Sequence, residues 1–154
     1  MRKLSLIVAL GLLVLAFTAA PVAANNRDST QTLHRVTETF PEANPCTGDP
    51  GLVTVTYNAV FHESVDAAGG IHLTGTLTGT FEFQPTDTSQ PSYSGRFTSW
   101  FGGNIGANGQ GFWSTFSLTG WGSDGSVIHF NGVMQFHYSN GELHVDFTLE
   151  NCRD

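Results

Sequence analysis

Between Ile71 and Phe83 the chain alternates without a break. Ile71, Leu73, Gly75, Leu77, Gly79, Phe81 and Phe83 hold one parity, and His72, Thr74, Thr76, Thr78, Thr80 and Glu82 hold the other. A helix does not sort side chains at a period of two. A strand does, so this stretch dictates a long strand with one buried and one wetted face. The two glycines on its apolar side mark bends or close packing, as expected where a sheet curls. Upstream, Val53, Val55, Tyr57, Ala59 and Phe61 face away from Thr54, Thr56, Asn58 and His62, and Asp66-Ala67-Ala68-Gly69-Gly70 joins the two runs as a hairpin.

Two further turns set register. Asn140-Gly141 is the signature of a two-residue type I′ turn, which places Tyr138 opposite Leu143, Phe136 opposite Val145 and Met134 opposite Phe147, all on one face. A three-residue Ser123-Asp124-Gly125 loop sets Leu118 against Phe130 and Phe112 against Phe136. The two-residue alternative would oppose Thr119 to Phe130, so the longer loop, with Gly125 left-handed, is preferred. Tyr93, Gly95 and Phe97 mark another strand, and a short one is expected around Arg35 to Phe40. The expectation is an all-β, antiparallel up-and-down β-barrel of seven to eight strands, with a two-sheet β-sandwich as the alternative. Pro85 to Pro91 and Gly102 to Gly111 are loop-like in composition. The second, flanked by Trp100, Phe101 and Trp113, reads as a lid over one barrel mouth or as hairpin slack.

The start of the chain joins a basic pair, Arg2 and Lys3, to an apolar run and then to Val22-Ala23-Ala24, the pattern of a signal peptide over residues 1–24. Residues 25–32 read as a flexible leader and 33–154 as a single β domain. No other segment approaches the roughly 18 apolar residues of a membrane helix. Without residues 1–24 the chain keeps four arginines against 13 carboxylates, a formal charge of 4 minus 13, or −9. Four scattered cations do not make the basic face that nucleic acid requires, so no nucleic-acid partner is expected. Cys46 and Cys152, the two cysteines of an exported chain, most simply pair with each other, closing a loop of about a hundred residues and contributing about 4 to 5 kcal/mol by loop entropy.

Five of the six histidines, His62, His72, His129, His137 and His144, fall on the polar parity of strands. The Asn140-Gly141 register sets His137 opposite His144, close enough at about 5 Å between Cβ atoms to share a metal, with Asp146 as third ligand. The plainer reading is a polar residue on a wet face. His62 and His72 face each other if their loop runs from Val65 to Gly69. Trp113 and Trp121 point away from the phenylalanine-rich side and are candidates for an interface with a partner, a sugar or a second copy. They stand about 26 Å apart along one strand, too far to hold one monosaccharide together. Tyr57, Phe61, Glu63, Phe97, Trp100 and Phe112 are the candidate contacts for an apolar ligand in the barrel or at its mouth. Glu63 shares the parity of Tyr57 and Phe61, at the rim of the core. No Gly-x-Ser-x-Gly elbow or free cysteine supplies a nucleophile, no catalytic residue is singled out, and no motif implies a cofactor.

With Asn44-Pro45-Cys46-Thr47-Gly48, His62-Glu63-Ser64-Val65-Asp66, Tyr93-Ser94-Gly95 and Cys152, the chain resembles a group of uncharacterised small exported bacterial proteins over the span from about Phe40 onward. That resemblance implies export and a compact β domain, and it carries no activity or binding residue. The architecture is similar to lipocalin-like and avidin-like barrels, by analogy of shape alone. Three functions are carried forward: a secreted, non-enzymatic binding module for a small apolar ligand in the barrel; an extracellular or envelope interaction protein using the exposed tryptophans, with homodimerisation as one form; and a small barrel isomerase or cyclase.

Overall fold

The computed structural model of the chain describes residues 28–106, 109–139 and 142–153, except for the side chains of Phe136, Tyr138, Ser139, residues 142–151 and Arg153. Residues 1–24, read above as a signal peptide, and the Asn140-Gly141 turn lie outside the described residues. The seven strands are β1 (Asp28–Ala43), β2 (Pro50–Val65), β3 (Ile71–Pro85), β4 (Tyr93–Gly106), β5 (Gly109–Gly122), β6 (Val127–Ser139) and β7 (Glu142–Arg153). They form one sheet in chain order, each strand antiparallel to the next.

The sheet curls. Laid flat, seven strands would hold their outermost members roughly 29 Å apart, six spacings of about 4.8 Å. Cys46, in the turn between β1 and β2, is nevertheless bonded to Cys152 of β7, with the two Cα atoms 5.6 Å apart. The expected disulfide is present, and it ties together the two ends of the strand order. The turn that presents Cys46 is built by Asn44, which is almost wholly buried. Its Oδ1 accepts from the backbone N–H groups of Cys46 and Thr47, at 2.9 and 3.3 Å, and Gly48 takes the left-handed conformation that completes the turn.

Curling gives the sheet an inside. Val53, Val55, Tyr57, Ala59, Leu77, Phe81, Phe83, Tyr93, Phe97, Phe101, Leu118, Ile128 and Phe130 form the buried cluster, each on the parity that alternation assigns to the core. Phenylalanine rings run through it in sequence, with centroids 5.8 Å apart for Phe97 and Phe116 and 6.1 Å for Phe116 and Phe130. The glycines of the apolar parity serve close approach. A side chain at Gly75 would strike the Phe101 ring, and one at Gly79 would strike the backbone of Thr56 and Tyr57.

The registers expected from turn chemistry hold at β5–β6, where Leu118 opposes Phe130, and at β6–β7, where Met134 opposes Phe147 and His137 opposes His144. Three expectations are corrected. β1 is a 16-residue strand that begins at Asp28, so Asp28 to Thr32 are not a leader. Pairing to β2 supplies what their polar composition hides, and a bulge between Leu33 and Val36 is stabilised where the Arg35 N–H donates to Asn58 Oδ1 at 3.0 Å. Gly102 to Gly106 and Gly109 to Gly111 are strand, paired with β3 and with each other, and not a lid. Finally, His62 opposes Thr74 and His72 opposes Ser64, so those two histidines do not face each other. The loop is Asp66 to Gly70, closed because Asp66 Oδ1 accepts from the N–H groups of both Ala68 and Gly70 at 2.8 Å.

Candidate functional site

The interior residues proposed as ligand contacts fall into separate places. Phe97 borders a cavity of about 40 Å³ together with Phe40, Val53, Phe83, Tyr93 and Leu118. Phe61 and Phe112 lie further along the sheet, both against Phe101, with centroids at 5.6 and 6.1 Å. Tyr57 is buried and donates its hydroxyl to Glu38 Oε1 at 3.2 Å. Burial, and then the neighbouring Glu38 carboxylate, push its pKa up to about 12. Glu63 is half-buried between Ser29 of β1 and Leu73 of β3. Trp100 is not inside at all. It shares the parity of Arg96 and Thr98 and is 55% exposed on the outer face. Asn44, Ser99 and Ser114 are the buried polar side chains among the described residues, the two serine hydroxyls 3.4 Å apart.

Of the proposed metal set, His137 is exposed on β6 with the backbone of His144 opposite it, while the side chains of His144 and Asp146 lie outside the described residues. Among the described residues no three of His, Cys, Asp and Glu gather as a metal site. His72 instead bonds Asn104 Oδ1 through Nδ1 at 2.7 Å and Asp66 Oδ2 through Nε2 at 3.3 Å. The Asn104 bond first, and then Asp66, hold its pKa above the usual histidine value.

The outer face carries a feature that sequence reasoning divided among three places. Two rows of paired residues cross the strands side by side. One runs His62 (β2), Thr74 (β3), Gly102 (β4), Trp113 (β5), and the other Val60, Thr76, Trp100, Thr115. Trp100 and Trp113 are therefore diagonal neighbours, their Cβ atoms about 7 to 8 Å apart, a far closer pair than Trp113 and Trp121. Both indoles are exposed, at 55% and 42%. With Val60, His62, Thr74 and Thr76 they line a groove of about 290 Å³.

Gly102 makes that arrangement possible. A Cβ at this position would lie 2.6 Å from Trp113 Nε1 and 2.7 Å from two carbons of its ring, so the Trp113 indole spreads across the bare glycine. At several other outer-face positions hydroxyls are paired across the strands: Thr37 with Thr56 and Thr39 with Thr54 at 2.9 Å, and Thr119 with His129 Nδ1 at 3.0 Å. In the groove Nδ1 of His62 is bonded to Thr30 Oγ1 at 2.8 Å, which leaves Nε2 for a ligand. Thr115, the β5 partner of Trp100, has an Oγ1 closed off from solvent with no hydrogen-bond partner among the described residues. A shielded, unpaired hydroxyl lowers stability by about 1 to 3 kcal/mol. Trp121, the other interface candidate, is 53% exposed and pairs with Ser94 and Val127 at the opposite end of β5.

Alternation places Trp100 outward as soon as β4 is allowed to run past it. Comparison of this chain with family models, with curated proteins and with solved structures finds no match in any of the three.

Proposed function

We propose that this chain is an exported, non-enzymatic binding module, a small up-and-down barrel that meets its ligand on the outer face of β2 to β5 rather than in its interior. The observation that carries this reading is the pair of exposed indoles, Trp100 and Trp113, set diagonally about the bare Gly102 and opening onto a groove of about 290 Å³. Exposed aromatic surface of this kind has a cost in solubility, and contact with a partner is its usual use. The groove lies close to the lower limit of the roughly 300 to 1,000 Å³ typical of small-molecule sites. The interior cavity beside Phe97, at about 40 Å³, offers far less room than the ~150 Å³ that accepts a benzene ring.

Export is supported by the basic and apolar start of the chain and by a disulfide of the kind that persists in oxidising compartments. Barrel closure is supported by the clasp between the first turn and β7.

Native mass spectrometry of the protein recovered from its secretion medium tests the reading. The expected result is a chain lacking residues 1–24, carrying a bound mass that disappears on denaturation and is absent from the Trp100→Ser/Trp113→Ser double variant. A bound mass kept by that variant and lost from Phe97→Ala would move the site to the interior, and a retained leader would overturn export.

A further inference from the structure

We infer that the Trp100–Trp113 groove binds neutral pyranose glycans. The inference rests on the outer-face reading above and gives it a ligand class. A pyranose ring has one or two faces of C–H groups that stack on an indole and a rim of hydroxyls that both donate and accept. The groove offers the matching set. Two indole faces stand at diagonal spacing. Between and beside them lie the Thr74 and Thr76 hydroxyls, which have no hydrogen-bond partner among the described residues, and Nε2 of His62, whose Nδ1 alone is bonded there.

Charge narrows the class. Among the described residues, His62 is the single titratable side chain lining the groove, and no Asp, Glu, Lys or Arg joins it. An anionic polymer such as a uronate or a teichoic acid would find no cation there and would meet a chain whose residues 25–154 carry four arginines against 13 carboxylates, a formal charge of −9. A cationic ligand would find no carboxylate. The row from His62 to Trp113 spans three strand spacings, about 14 Å, long enough to take more than one sugar unit laid across the strands. The groove is open on the sheet face, so internal units of a polymer have access as well as chain ends.

Affinity electrophoresis of the secreted protein in gels containing soluble neutral glucan, mannan or xylan, with co-sedimentation on cellulose and chitin, tests this directly. Alginate and pectate are the anionic controls. Retardation by at least one neutral glycan is expected, insensitive to salt. Trp100→Ser and Trp113→Ser should each weaken binding roughly tenfold, the order of one stacked ring. Thr74→Val/Thr76→Val should weaken it less. Gly102→Ala should also weaken it although both tryptophans are kept, because the new methyl displaces the Trp113 ring. Unchanged melting temperature and far-ultraviolet circular dichroism show that each variant folds.

Absence of retardation across the neutral panel overturns the glycan, as does retardation by the anionic polymers alone. In either case a non-sugar mass that native spectrometry finds on the wild type and not on the tryptophan variant keeps the site and replaces its ligand. Concentration-dependent dimerisation abolished by Trp113→Ser would assign the groove to a second copy of the chain and also overturn the inference. Glycan binding equal in the wild type and the double variant would sink both the site and the ligand.

Discussion

Strands β4 and β5 carry aromatic residues on both faces, and the two faces put them to different use. Inside, Phe97 is buried, Phe116 half-buried, and the two rings stack with centroids 5.8 Å apart. Outside, Trp100 and Trp113 stand on the same two strands with about half their surface in water. Neighbouring positions on one strand thus answer to different constraints. The inner rings are held by the need to fill a curled sheet. The outer ones have no folding role of that size.

The largest effect should come from the feature that gives the sheet an inside. Replacing Cys46 and Cys152 by serine removes a link across 106 residues, and guanidinium unfolding should report a loss of about 4 to 5 kcal/mol. A loss under 1 kcal/mol would mean that strand pairing alone maintains the curl. Next comes the contrast itself. Phe97→Ala should cost about 3 to 5 kcal/mol in the same measurement, whereas Trp113→Ser should change stability by no more than about 0.5 kcal/mol. Equal costs would erase the distinction between the faces. The smallest effect is a pH dependence. Tyr57 has its pKa raised to about 12 by burial and then by Glu38, while the unfolded chain ionises near 10. The folded state therefore retains the phenol proton where the unfolded state has lost it. The corresponding stability is complete below pH 10 and declines as pH rises toward 12. Tyr57→Phe should abolish that slope in unfolding curves recorded between pH 9 and 12, and an unchanged slope would show that another group causes it.

The inner face was far more legible than the outer one. Alternation from Ile71 to Phe83, the Gly125 loop and the Asn140-Gly141 signal fixed which residues face the core and which oppose one another, because burial rewards a strict period and turn geometry admits few registers. The disulfide was legible too, since a chain with two cysteines has one simple pairing. The groove was not. Its components were visible one by one, but Gly102 to Gly111 looks like a loop by composition, and that reading detached Trp100 from Trp113. Glycine carries no side-chain signal for strand, and here its extended state is imposed by the hydrogen-bonded partners on β3 and β5. The polar start of β1 was lost for the same reason: Thr30 is in a strand because β2 is beside it, with His62 as its partner. The supposed facing of His62 and His72 failed by one position in the loop, where the Asp66 side chain, accepting from Ala68 and Gly70, decides the closing pair.

The bridge between Cys46 and Cys152 also determines how the molecule would respond to a protease. Backbone and disulfide together make a covalent ring that contains β2 to β7, with β1 outside it. A single cut in any connection within that ring, whether at the Asp66 turn, the Asp87 loop or the β4–β5 hairpin, yields two polypeptides that remain one molecule until they are reduced. A cut before Cys46 instead releases a piece that carries the edge strand β1. A single nick in any one of five of its six hairpin connections would leave its mass unchanged but for one added water.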